Sequence, residues 1–267
     1  MEGRSITYSA NILPMLQRNA ANVTGWLFLA FAVLCLTGCS SKTSPWVHFK
    51  IIIDVEADGK LYSGSSVLGM QFSNHKRTGQ KGLYHFGTMK GEAPFVDVGD
   101  HGTLFALLSV NKNGGFTSND MIFFIPINSL LGSRSSDLVI DMTKLSKMVG
   151  EGNELSCLEE SPDDIDCPVL ARFENINQPT SIEQVDPKDL AQSFGTGVKL
   201  KSIRFEITDE PITEKITAKL PWLLRKPVLE DGIPVRIFGN IPRGVPQKDW
   251  PFSARMHDGF FKMDYKL

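Results

Sequence analysis

The nearest approach to a nucleophile motif is Ser63-Gly-Ser-Ser-Val-Leu-Gly69. Counted from Gly64, Ser66 takes the serine place of Gly-x-Ser-x-Gly, but Leu68 replaces the closing glycine, and the stretch reads as a strand rather than a strand-to-helix elbow. Small residues within a strand point instead to close backbone packing or a bulge. The five histidines (His48, His75, His85, His101 and His257) form no i,i+2 or i,i+4 pair that would grip a metal. His101 follows Asp100 in a Gly-rich turn, and a carboxylate beside an exposed imidazole could act as an acid–base pair. Turns also collect Asp and Gly for backbone reasons alone. Asp54 and Glu56 share one strand face, as do Arg204 and Glu206. Paired carboxylates cleave glycosides only across a cleft of the right width. No phosphate loop, dinucleotide fingerprint or zincin helix occurs. The residues therefore predict no catalytic group, no metal site and no cofactor.

The N-terminus carries a different kind of chemistry. Residues 1–25 are polar, with Arg4 and Arg18 as the only cations, and Trp26–Leu36 follows as eleven residues without a charge. A polar, weakly basic start, a short apolar core and then small residues are the marks of a secretory signal peptide. An amphipathic core helix would instead place polar residues at a 3.6 period. Met15 offers an alternative start with a more usual n-region length.

The ending Leu36-Thr37-Gly38-Cys39 resembles the lipobox of bacterial lipoproteins. That resemblance implies cleavage before Cys39, acylation of its sulfur and amino group with chains such as palmitate, and attachment to a membrane. Ser40, rather than Asp, after the cysteine implies sorting to the outer membrane, with the protein facing the periplasm. Several acyl chains on one residue anchor firmly where a single chain binds only marginally.

Processing leaves Cys157 and Cys167 as the unmodified cysteines, since Cys35 departs with residues 1–38 and Cys39 is acylated. An oxidising periplasm makes a Cys157–Cys167 disulfide the expectation. Zinc would want two more ligands nearby, and no histidine lies between His101 and His257. Glu159, Glu160, Asp163, Asp164 and Asp166 inside the ring could suit calcium, but they lack the glycine and alternation of an EF-hand loop. A solvated acidic loop is the plainer reading.

The elements that would position any site are mostly strands. The chain is 42% hydrophobic and 22% charged, the balance of a folded protein rather than a disordered one. Removing residues 1–38 leaves 26 basic and 29 acidic residues, net −3, and the Lys199, Lys201 and Arg204 group is too small a patch for nucleic acid. Residues 39–47 predict a lipidated tether, polar over Ser40–Pro45. His48–Glu56 alternates, with Phe49, Ile51, Ile53 and Val55 on one face, and Asp58-Gly59 predicts a hairpin into Lys60–Met70. Ser73–Gly91 reads as a mobile loop, and Pro94–Val98 and Thr103–Val110 as a second hairpin. Met121–Ile127 predicts a short strand ending at a sheet edge, and Asp137–Val149 a strand followed by a helical turn or two. Cys167–Asn175 reads as a strand, and Asp186 is placed to cap a helix ended by Gly195. The change of parity between Leu200 and Ile203 predicts a β-bulge near Lys201-Ser202. The expected fold is mainly β, an antiparallel β-sandwich or barrel-like domain over 48–222 with a few short helices. Residues 223–267 hold five prolines and six aromatics, which predicts an extended arm packed on the domain.

Within Thr180–Trp222 the chain reads Val185-Asp-Pro-Lys-Asp-Leu190, Phe194-Gly-Thr-Gly-Val198, Glu206-Ile-Thr-Asp-Glu-Pro-Ile-Thr213 and Leu220-Pro-Trp222. This stretch is similar to a family of proteobacterial proteins of unknown function. Tyr62–Val67, Gly91–Asp100 and Thr103–Leu108 fit the same family, so the likeness runs through about residues 48–222. It brings no activity with it.

These readings together describe a membrane-anchored envelope lipoprotein that is a non-enzymatic binding or accessory protein, its partner an envelope protein. The alternative is an envelope hydrolase that works on peptidoglycan or polysaccharide through carboxylates.

Overall fold

The structure, a computed structural model, describes residues 42–75, 84–112, 115–116, 121–157, 167–224, 229–230, 233–234, 237–239, 242, 244–246 and 249–266. In chain order the strands are β1 Lys42–Thr43, β2 Val47–Ala57, β3 Lys60–His75, β4 Tyr84–Glu92, β5 Phe95–Asp97, β6 Thr103–Lys112 and β7 Gly115–Phe116. There follow β8 Gly152–Glu154, β9 Pro168–Phe173, β10 Ile182–Val185, β11 Lys199–Thr208, β12 Leu229–Glu230, β13 Ile233–Pro234 and β14 Lys262–Lys266. One sheet runs β14-β4-β3-β2-β11-β8 with β1 also on β3, a second runs β10-β9-β6-β5 with β7 on β6, and β12 pairs with β13. The pairings are antiparallel and neither large sheet closes on itself, so the domain is mainly β with sandwich-like packing.

Period-two alternation builds the first sheet. Phe49, Ile51, Ile53 and Val55 of β2 are fully buried, while His48, Lys50, Ile52 and Glu56 face the other way. Asp58 and Gly59 take φ of 50° and 72°, the left-handed pair of a tight hairpin, and β2 then pairs with β3 from Val47↔Met70 to Ala57↔Lys60 without a slip. β11 slips register between Leu200 and Ser202, which puts Val198 and Leu200 on one side of the bulge in phase with Ile203, Phe205 and Ile207 on the other.

Several sequence expectations are corrected. Where it is described, the loop expected over Ser73–Gly91 is strand: β3 runs on to His75, and β4 pairs with it from Gly69↔Lys90 to His75↔Tyr84, while residues 76–83 lie outside the described residues. Met121–Ile127 is not a strand but a 3-10 turn, Met121–Phe124, leading into a helix, Ile125–Leu131. Pro126 sits in that helix's first turn, where its missing N–H costs nothing, and a seven-residue apolar run cannot by itself separate the two alternatives. No strand opens Asp137–Val149; Asp137 caps a helix, Leu138–Leu145, by accepting from Val139 and Ile140. The short helix before Gly195 is capped by Asp189 rather than Asp186, whose carboxylate turns back to Lys188 N–H. Lys42 and Thr43, expected in a tether, pair with Asn74 and Ser73 of β3.

The C-terminal stretch does more than lie on the surface. Phe261 and Phe238 are buried and stacked at 5.7 Å, and Phe261 also meets Phe105, Phe173 and Trp222. Immediately after it, β14 pairs along β4 from Glu92 to Thr88. Three aromatics of this stretch, Phe238, Phe260 and Phe261, are buried in the core.

Candidate functional site

β4 accompanies β3 only as far as Gly69, then turns away through Gly91 and Glu92 into the second sheet. Gly91 has φ 148°, and a Cβ there would lie 2.6 Å from the Leu68 side chain, so the exit is built on a glycine. The buried Glu92 carboxylate holds the turn by accepting Lys215 N–H (2.6 and 2.8 Å) and Ile216 N–H (2.9 Å), which caps the helix Ile216–Lys219. Thr213 takes β4's place at one residue only: Val67 N–H donates to its hydroxyl at 2.8 Å and its N–H donates to Val67 O at 3.1 Å.

Past Val67 the edge of β3 is open. Backbone groups alternate sides along a strand, and Val67 points away from β2, so the N–H and C=O groups of Leu61, Ser63 and Ser65 point away from it too. Among the described residues no backbone group pairs with these three. All three residues are exposed, Leu61 at 64%. A groove of about 330 Å³ follows this edge, lined by Ser63, Gly64, Ser65, Phe95, Thr213 and Lys215 among others. Gly64 lets β5 close over the strand, since a Cβ there would lie 1.9 Å from Phe95 O.

The side chains beside the groove are engaged in holding structure. Asp54 of β2 accepts from Ser63 of β3 and, across the sheet, from Ser202 (3.0 Å) and Arg204 of β11. Burial alone would raise Asp54, but the hydrogen bonds from Ser63, Arg204 and Ser202 and the Arg204 charge outweigh it and lower its carboxyl below the ordinary 3.8. A carboxylate so occupied stays ionised and has no proton to give. Ser66 is no nucleophile: it is 1% exposed, lies on the core face opposite Ile51, and its hydroxyl has no hydrogen-bond partner among the described residues.

His101 does not pair with Asp100. Its Nε2 lies 2.9 Å from Asp58 Oδ2 and its Nδ1 2.8 Å from Phe194 O. Both partners only accept, so the ring makes both bonds as an imidazolium, and the Asp58 and Phe194 hydrogen bonds raise its pKa above 6.5. It ties the β2–β3 turn to the β5–β6 turn and to the end of the helix Leu190–Phe194. His48 meets Glu210 O at 2.8 Å, and His85 bridges Asn74 and Ser136 O. A wider groove of about 600 Å³ beside Arg172, Glu183 and Gln192 is strongly polar, and Arg172, its one cation among the described residues, is already ion-paired to Glu183.

Cys157 and Cys167 are joined as a disulfide with Cα atoms 5.0 Å apart. The acidic residues between them and the lipobox with Cys39 lie outside the described residues. Among the described residues no group of His, Cys, Asp or Glu is placed to hold a metal, and no helix is long and apolar enough to cross a membrane. Sequence reasoning missed two features of this region. The Asp54–Arg204 pair joins residues 150 positions apart. The open edge depends on where β4 leaves β3, for which Gly91 and the nearby Pro94 were the available signals. No protein-family model, curated protein or solved structure matches the chain.

Proposed function

We propose that this chain is an exported lipoprotein, acylated at Cys39 and held at the outer membrane facing the periplasm, which works by binding another envelope protein. The lipobox at Leu36–Cys39 behind an uncharged apolar run supports the anchor, and a disulfide suits the oxidising compartment that export would reach. Kinship with the proteobacterial family that shares the Val185–Trp222 pattern belongs to the same proposal. The observation that carries the binding role is the exposed edge at Leu61, Ser63 and Ser65. Unpaired strand edges take up extended segments of other chains, the added backbone bonds giving affinity and the flanking groove selectivity. A hydrolytic role is less well supported, because Glu92, which lines this groove, and Asp54, bonded to the lining Ser63, are committed to a helix cap and to Arg204 and the serines.

Ser63→Pro tests the binding role. It removes one outward N–H from the edge, and the Ser63 hydroxyl's bond to Asp54, while leaving the backbone bonds to β2, whose partners on β3 are the intervening residues; Leu61→Arg disturbs the edge without touching Asp54. Cross-linking in cells followed by mass spectrometry of the captured full-length protein should show one dominant, saturable partner for the natural sequence. That partner should be lost with Ser63→Pro and with Leu61→Arg. Equal capture by all three proteins would place the contact elsewhere, and only abundant envelope background with the natural sequence would contradict the role.

A further inference from the structure

Cys39 stands three residues before Lys42, and three residues of extended chain reach no more than ~10 Å. An anchor on Cys39 therefore decides which end of the domain meets the bilayer. Lys42 and Thr43 pair with Asn74 and Ser73 of β3, and Ser73 is paired on its other side with Phe86 of β4. Phe86 thus lies in the same row as Thr43, about 10 Å away across two strand spacings. Directly paired residues share a face, and the face shared by Thr43, Ser73 and Phe86 is the one opposite the buried Asn74. Phe86 is 49% exposed on it.

Trp46 belongs to the same face. It precedes the buried Val47, and its ring stands 6.4 Å from that of His48, which faces away from the core. Trp46 is 37% exposed. Phe86 lies in the row next to that of Lys42, and Trp46 lies four residues along the chain from Lys42. Leu61, the exposed residue of the open edge, lies at the far end of β3, beside the β2–β3 turn.

We propose that Trp46 and Phe86 form a membrane-contact patch that rests at the headgroup level of the bilayer to which Cys39 is tied. This rests on the acylation of Cys39 proposed above. Aromatic rings are favoured at that depth because one surface of the ring is apolar and the surroundings remain wet. The acyl chains supply the affinity, and the short connection keeps the patch at high effective concentration beside the lipid. The patch supplies orientation. It turns the Lys42–Ser73–Phe86 end toward the membrane, with the Leu61–Ser65 edge at the far end of β3.

Full-length protein purified with its anchor and reconstituted into phosphatidylethanolamine–phosphatidylglycerol vesicles tests this, using vesicles whose acyl chains carry bromine at shallow positions. Trp222 is buried, and comparison with Trp46→Phe removes the Trp222 and Trp250 background. The expected result is bromolipid quenching at least twofold greater for the natural protein than for Trp46→Phe, and weakened by Phe86→Ser. Equal quenching of the natural protein and Trp46→Phe, with both floating with the vesicles, would overturn the patch and leave the anchor standing. Contact of Trp46 with a protein partner or a second copy would give that same unquenched result. Failure of the natural protein to float with vesicles would overturn the anchor and the patch together.

Discussion

His101 has both ring nitrogens against acceptors, and this gives it a definite pH signature. Its pKa is raised in the folded protein, so its contribution to stability is whole below the ordinary value of 6.5 and is lost as pH climbs through the raised value. Urea midpoints of the natural protein and of His101→Gln should differ most near about pH 5.5 and converge by about pH 8.5. A gap that widens toward high pH would contradict the imidazolium. The Cys157–Cys167 bond closes a ring of eleven residues, and on the chain-entropy estimate its removal should cost roughly 3 kcal/mol. Folded, unreduced protein should resist alkylation at both positions, and ready labelling would count against the bond. The cysteine pair was legible because Cys157 and Cys167 are the two cysteines beyond residue 39. The partners of His101 were not: Asp100 is its neighbour in sequence, while Asp58 and Phe194 O come from other elements.

Strands and turns carry the positions of the groove, and two substitutions test how. A Cβ on Gly64 would lie 1.9 Å from Phe95 O, so Gly64→Ala must push β5 off β3 and should cost about 1–3 kcal/mol or more. Phe261→Ala empties the meeting point of Phe105, Phe173, Trp222 and Phe238 and should cost about 3–5 kcal/mol. Urea unfolding measures both, and an unchanged midpoint for Phe261→Ala would mean that the C-terminal stretch is not part of the core. Where one face of an element is buried and the other wet, the sequence was readable. Phe49, Ile51, Ile53 and Val55 announce β2, and the parity change at Lys201 announces the bulge. The element at Met121–Ile127 was misread because Ile122, Phe123, Ile125 and Ile127 are all buried, and an element apolar all round shows neither period. β4 hid behind glycines and lysines, and one of its two partners, β14, lies far away in sequence.

For the whole molecule, the proposed compartment rests on the N-terminal residues, and the proposed binding face rests on the sheet topology. In the proposal made above, an anchor only a few residues from β1 would hold the domain close to the bilayer, with its open edge at the opposite end of β3. The proposed lipobox is a reading of four adjacent residues, Leu36–Cys39. The open edge could not be read so, because it is made of the groups that β4, β5 and Thr213 leave uncovered. Every functional statement depends on the chain being exported and acylated, and the mass of the intact protein isolated from the membrane fraction tests that directly. The account predicts a chain beginning at Cys39 and carrying fatty acyl groups, with Cys39→Ala either released from the membrane or left with its signal uncut. Membrane-bound protein that starts elsewhere, or that bears an unmodified Cys39, would contradict it.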